Sequence, residues 1–243
     1  MSGPVELRLL GGFALSLHSM VVNLPRSAQR LVALVAIAER IGRQQAGRTL
    51  WPDVDDRRAG HRMRSDLWRV SHHAMGVLAN DAGGLHLRPG VQVDTAVLEA
   101  HARRALSTVR APAHLDPVFA ELGRWPVVQD LLPGWDDDWI VVERVRLRQL
   151  HLHALEASAR CLLERGCFGE ALDMALQVQA ADPLRETAQA LAVKIFLAQD
   201  NVAAAHRHFT TFETMLYSEL GVRPSPRLQA LVRGALQDRT VSE

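Results

Sequence analysis

The sequence predicts a mainly α protein in two parts: a small domain of strands and three helices at residues 1–94, and an all-α helical repeat at 95–243. Three observations carry this reading. Residues 5–24 alternate with the period of strands, residues 25–75 hold three stretches of helical periodicity, and matching turns at Gly166 and Asp200 punctuate a helical C-terminal half.

The alternation runs through Val5 to Leu17, around Leu7 and Leu9, the pair Gly11-Gly12, then Phe13, Leu15 and Leu17, with a short partner run at Met20 to Leu24. Pro25 and Ser27 open a helix over Arg26 to Arg40, whose Leu31, Leu34, Val35 and Ala38 share one face and which Gly42 stops. A short helix follows at Gln45 to Trp51, ended by Pro52. After the acidic turn Asp53 to Asp56, a long basic helix runs from Arg57 to Met75. Helix, short helix, turn and long helix outline a helix-turn-helix. Leu85 to Leu87 and Val91 to Val93, joined across Pro89-Gly90, are expected to pair as a wing, which makes the N-terminal domain a winged helix-turn-helix with a small β-sheet.

Next come a helix at Ala96 to Leu106, a loop-like stretch at Ser107 to Leu115, and the segment LLPGWDDDW at Leu131 to Trp139, whose tryptophans imply ordered packing. From Val141 onward the pattern is helical, broken near Gly166, Asp182-Pro183, Asp200-Asn201 and Gly221. The offset from Gly166 to Asp200 is kept by Leu163 with Leu197 and by Ala171 with Ala205. It equals the tetratricopeptide period of helix, turn, helix.

Composition narrows the function. A chain of 243 residues with 48% hydrophobic and 23% charged content folds, and is long enough for two ordinary domains. The net charge of +1 hides an asymmetry: Met1 to Ala105 holds 14 basic against 9 acidic residues, the remainder 14 against 18. The basic part suits a polyanion. All basic residues except Lys194 are arginine, whose planar fork fits phosphate and guanine. With no basic-then-apolar leader pattern and no run of about 18 apolar residues, a soluble cytoplasmic protein without a membrane partner is expected. Cys161 and Cys167 lack CxxC spacing and are read as reduced thiols in a helical stretch.

The chemistry concentrates on the third helix. At 100° per residue Ala59, Met63, Leu67, Val70 and Ala74 fall together and face a core. The opposite side displays Arg58, His61, Ser65, Trp68, Arg69 and His72, flanked by Arg57, Arg62 and Arg64. Such a face matches a major groove, where arginine reads guanine edges and grips phosphate. The histidine pairs His72-His73, His151/His153 and His206/His208 have spacings of one or two, not the three or four of a helical metal pair, and Asp136 to Asp138 read as a solvated turn or helix start. No metal or cofactor site is expected. Nor does the chain contain GxSxG, HExxH or a phosphate-binding GxxxxGK motif, so no catalytic residues and no enzyme are expected.

Seven blocks, in order, carry a family resemblance: VELRLLGGFAL from Val5, PRSAQRLVALVA from Pro25, AGRTLWPDV from Ala46, RMRSDLWRV from Arg62, LHLRPGVQVD from Leu85, LLPGWDDDWIVVERVRLRQLHLHALE from Leu131, and ELGVRPSPRLQAL from Glu219. With these the sequence resembles the Streptomyces antibiotic regulatory protein (SARP) type activators that carry a bacterial transcriptional activation domain. The resemblance implies a winged helix-turn-helix joined to a tetratricopeptide-like domain for self-association and activation. It also implies a transcriptional activator that binds direct repeats in double-stranded promoter DNA and helps recruit RNA polymerase. It places Arg58, His61, Arg62, Arg64, Ser65 and Arg69 against DNA, with Arg48 on the preceding helix and Arg88 on the wing as backbone clamps. A second copy of the chain, as a homodimer, joins DNA and polymerase among the implied partners. No receiver, ATPase or forkhead-associated segment is recognised, so the sequence names no input signal. The rival reading is a protein-interaction module whose winged helix has lost DNA affinity, and it rests on Asp66, His61 and His72-His73.

Overall fold

A computed structural model describes residues 4–110 and 130–240. It divides into two compact units, Met1–Glu99 with Gln129–Leu147, and Ala100–Val128 with Arg148–Glu243.

The first unit opens with strands β1 (Val5–Arg8), β2 (Ala14–Leu17) and β3 (Met20–Val21), antiparallel neighbours with Leu7 opposite Leu15. Three helices follow, α1 (Arg26–Ala38), α2 (Arg43–Leu50) and α3 (Asp56–His73). Between α1 and α2 the chain makes a short strand, β4 (Arg40–Ile41), in place of the helical end expected up to Arg40. The backbone turns out of the helix at Glu39, φ 57°, and Ile41 then enters the core beneath α1 and α2. Gly47 of α2 lies against Ala59 of α3, so the small residue permits a close crossing of the two helices.

The wing differs from the expected hairpin. β5 (Leu78–Asp81) and β6 (Gly84–Leu87) pair across a two-residue turn, and β4 adds to the other edge of β6. β7 (Val91–Val93) leaves this sheet and runs parallel to β1, with Val93 beside Leu7. Arg88 to Gly90 carry the chain from one sheet to the other: the Arg88 N–H donates to the Val77 carbonyl, and Gly90 takes φ 92°. The driving force is burial, since Val93 fills the core made by Leu7, Leu9 and Leu15. Close approach fixes the wing's root, for a Cβ at Gly84 would lie 2.5 Å from the Ile41 carbonyl oxygen.

α4 (Asp94–Arg110) begins directly after β7, so Ser107 to Arg110 are helical and not loop-like; residues 111–115 of that expected loop lie outside the described residues. The tryptophan-rich segment packs into the first unit. Leu131 bridges Leu10, the Leu132 N–H donates to the Leu9 carbonyl at 2.9 Å, and Leu131, Leu132, Trp135, Ile140 and Leu147 join the core of the sheet. Trp135 stacks on Phe13 and lies under the Arg26 guanidinium at 3.7 Å.

In the second unit stand α5 (Asp138–Glu164, whose start, up to Leu147, belongs to the first unit), α6 (Phe168–Ala181), α7 (Glu186–Ala198), α8 (Val202–Leu220) and α9 (Pro226–Thr240). The repeat period is written into its hydrogen bonds. Cys167 N–H reaches the Leu162 carbonyl and Asn201 N–H the Phe196 carbonyl, both at 2.9 Å; Gly166 pairs with Leu163 and Asp200 with Leu197, both at 3.0 Å. Gly166 and Asp200 are each left-handed, φ 76° and 57°, and Ala171 and Ala205 are each buried. Helix, left-handed turn, helix thus occurs twice with one geometry. Cys161 is buried, Cys167 half-buried, and both are free thiols. Among the described residues no helix is long and apolar enough to cross a membrane.

Candidate nucleic-acid interface

α3 is started by Asp55, whose side chain accepts the Arg58 N–H at 2.8 Å, and Asp56 adds a negative charge to its first turn. Ala59, Met63, Val70 and, just past the helix end, Ala74 are buried, as the helical period requires. Leu67, expected at the centre of that stripe, is only partly buried against the α1–α2 core.

On the far side Arg57, Arg58, His61, Arg62, Arg64 and Ser65 are all exposed, which puts five of the expected α3 contacts on one surface. Trp68 continues this face at 62% exposure and stacks its ring on His72, centroids 5.1 Å apart and nearly parallel. His72 in turn meets His73 edge-on.

Arg69 departs from the group. Its guanidinium turns back onto Asp66 at 2.8 Å, and Asp66 is 1% exposed and accepts the Ser27 hydroxyl of α1 at 2.7 Å. The pair joins α3 to the first turn of α1. Asp66 therefore points inward and contributes no carboxylate to the exposed face, contrary to the use made of it in the rival reading. A helical wheel places Asp66 near the boundary of the apolar stripe but cannot supply its partner Ser27, which belongs to another helix.

Arg48 and Arg88 stand apart. Arg48 is exposed and makes a forked contact with Asp56 at 2.9 and 3.2 Å. That hydrogen bond, with one from Gln44, holds the Asp56 carboxyl below the usual carboxylate range and raises the Arg48 guanidinium. Arg58 lies 3.5 Å from Asp55. Phosphate at the start of α3 would thus compete with carboxylates already holding Arg48 and Arg58. Arg88 sits at the foot of the wing, exposed, its Nε 3.4 Å from the Leu78 carbonyl, and the tip belongs to Ala82 and Gly83.

A shallow cleft beside α3 is lined by Arg30, Arg48 and Arg62 with Trp51, Trp139 and Asp136 to Asp138. The three aspartates are not simply a solvated turn. Asp138 begins α5 and the Asp137 carbonyl accepts the Val141 N–H, as a helix start requires, but the half-buried Asp137 carboxylate forms an ion pair with Arg30 of α1. Nothing in the local sequence signals this contact, because Arg30 and Asp137 are 107 positions apart.

A model of the bacterial transcriptional activator domain matches residues 93–236. The chain is 30% identical over 167 residues to the Regulatory protein AfsR of Streptomyces coelicolor, a stretch that is 67% of this chain and 17% of that protein. In fold it is similar to Mycobacterium tuberculosis EmbR, solved in complex with a low-affinity phosphopeptide: TM-score 0.72 over 97% of this chain and 65% of that one, at 18% identity. The chain spans less than two thirds of the length of each of these two proteins.

Proposed function

We propose, from the premise that this chain belongs to the SARP-type transcriptional regulators bearing a bacterial transcriptional activator domain, that it binds promoter DNA in a sequence-specific way through α3 and activates transcription by helping to recruit RNA polymerase. The observation that carries this reading is the exposed set Arg58, His61, Arg62, Arg64 and Ser65 on one side of a helix whose other side is buried. Arg48 and Arg88 flank the set and are assigned to the phosphate backbone. Arg69 is assigned to holding α3 on α1.

The proposed division of labour gives DNA to residues 1–94 and protein contacts to 95–243, with the segment Gln129–Leu147 lent to the first unit. The helical repeat is the proposed surface for polymerase and for a second copy of the chain, which on direct repeats would meet the first head to tail and not across a two-fold axis. The reading is that of a cytoplasmic regulator and not an enzyme. The rival of a winged helix without DNA affinity loses Asp66, which is buried against Ser27, and keeps only the histidines.

A mobility-shift titration on duplex DNA from the protein's own upstream region, at two salt concentrations, tests the proposal. The logarithm of the affinity should fall with the logarithm of salt by about 0.9 for each phosphate contacted. Absence of binding, or binding indifferent to salt, refutes it.

A further inference from the structure

We infer that Arg30 and Asp137 are positioning residues for the helix-turn-helix, and that the turn between α2 and α3 is held in place by a segment far downstream of it, beyond the wing and α4. The inference rests on the proposed reading only in what it says the turn is for.

The geometry begins with a single nitrogen. Arg30 Nη2, on α1, donates to the Leu50 carbonyl at 2.8 Å and also to the Asp137 carboxylate. Leu50 is the last residue of α2, so its carbonyl is one of those a helix end leaves without an intrahelical partner. The guanidinium caps α2 at the point where the chain turns toward α3. Arg30 and Asp137 side chains are 23% and 16% exposed, so neither is freely solvated and the pair is weakly screened. A guanidinium hydrogen-bonded to a carboxylate on one side has its direction fixed, and that direction here is the Leu50 carbonyl.

Asp137 is itself held. Arg144, two turns into α5, donates to the carbonyls of Leu131 and Leu132 at 2.8 and 2.9 Å and to that of Trp135 at 3.0 Å. These bonds satisfy three backbone acceptors of a tight segment in which Leu132 and Gly134 take φ 44° and 75°. Leu131 and Leu132 are clasped by the chain just after β1, and Trp135 by Phe13 and Arg26. The segment is thus fixed at several points before it presents Asp137 to Arg30. Trp139, just beyond, packs against both the sheet core and the α1–α2–α3 core. The downstream segment thus reaches α1 through the Asp137 charge and the Trp135 ring, and the α1–α2–α3 core through Trp139.

A positioning role predicts a local effect, and hydrogen exchange on the full chain reads it without DNA. In Asp137→Asn the amides from Leu50 to Ala59 should exchange about ten-fold faster, as expected on losing one hydrogen bond between charged groups, while those of β1 and β2 keep native rates. In an Arg30→Gln background, Asp137→Asn should add nothing further, because the two act through one contact. A uniform acceleration across β1, β2, α2 and α3 would mean a merely structural role and overturn the inference, as would native rates at 50–59. In the DNA titration, Asp137→Asn should lower affinity for the upstream duplex while leaving the salt slope unchanged, since no phosphate contact is removed. A native affinity, or a changed slope, counts against it. Should the native protein bind no DNA while the exchange effect stays local to 50–59, the proposed function falls and the positioning role stands.

Discussion

Asp66 shows how far a side chain's surroundings can be from its sequence context. On a helical wheel it is a charge beside an arginine-rich face, yet it accepts from Ser27 and Arg69 and is almost wholly buried. The apolar positions Ala59, Met63, Val70 and Ala74 are legible in the sequence because burial repeats with the helix. A polar contact between two helices has no period, and so the roles of Asp66 and Arg69 are not. Arg69→Ala should consequently lower stability by about 1–3 kcal/mol, the range for stranding a buried hydrogen-bonding group. Arg62→Ala, on the exposed side, should leave the melt unchanged and reduce the salt slope of DNA binding by about 1. Thermal melts and the titration on both variants separate the two roles, and equal melts would show the Asp66 contact to be inert.

Glu156 offers a second test at this scale. Burial pushes its carboxyl up, but hydrogen bonds from Arg185, at 2.9 and 3.1 Å, and from Thr187 outweigh burial and leave it below its ordinary value. A carboxyl lowered on folding stabilises the native state above its unfolded value, and that contribution is lost as pH falls through the folded one. Unfolding of the native protein should therefore grow easier below about pH 4.5. Glu156→Gln should be less stable near neutrality and show a flatter acid dependence in denaturant titrations; a parallel profile would detach Glu156 from the acid response.

Among elements, those with local periodicity match the sequence reading closely and those depending on a distant partner do not. α1, α2 and α3 fall within a few residues of expectation, and the repeated turns at Gly166 and Asp200 carry the same hydrogen bonds at the same offset. The wing is harder to read because β5, with sequence LAND, has neither alternation nor β-branched residues, whereas β7 has both and looks like its neighbour's partner. The true partner of β7 is β1, at the opposite end of the domain's sequence. Two glycines separate backbone need from tolerance. Gly166 has φ 76°, so Gly166→Ala should destabilise the second unit by about 1–2 kcal/mol. Gly60 lies inside α3, where a Cβ meets only the Arg64 guanidinium at 3.8 Å, so Gly60→Ala should stabilise by up to about 1 kcal/mol. Opposite shifts in the two melts are expected, and a loss at Gly60 would reveal a contact that the geometry lacks.

For the whole molecule, the boundary that the sequence suggests is linear and the compact units are not. Composition and charge separate a basic front from an acidic back, but they cannot show that residues after 130 return to the first core. Leu131, Leu132, Trp135, Ile140 and Leu147 are all buried there. Removing these side chains forfeits about 1.5–3 kcal/mol each, in sum comparable with the whole stability of a typical domain, about 5–15 kcal/mol. A fragment of residues 1–94 should therefore give a poorly dispersed amide spectrum and no cooperative melt, whereas 1–147 should fold. A cooperative melt for 1–94 would show that the strands and three helices suffice.

That interleaving sets a clock on the protein's synthesis. A ribosome adds about 5–20 residues per second, so roughly 3–10 s separate the emergence of the wing from that of Leu147. Until then α3 is present, but the α2–α3 turn lacks the Asp137 contact and the core lacks the tryptophan-rich segment. Under the proposed DNA-binding role, chains terminated after the wing but before Leu147 would carry every arginine of the exposed α3 face without the contacts that hold it, and should compete poorly with the finished protein for an operator.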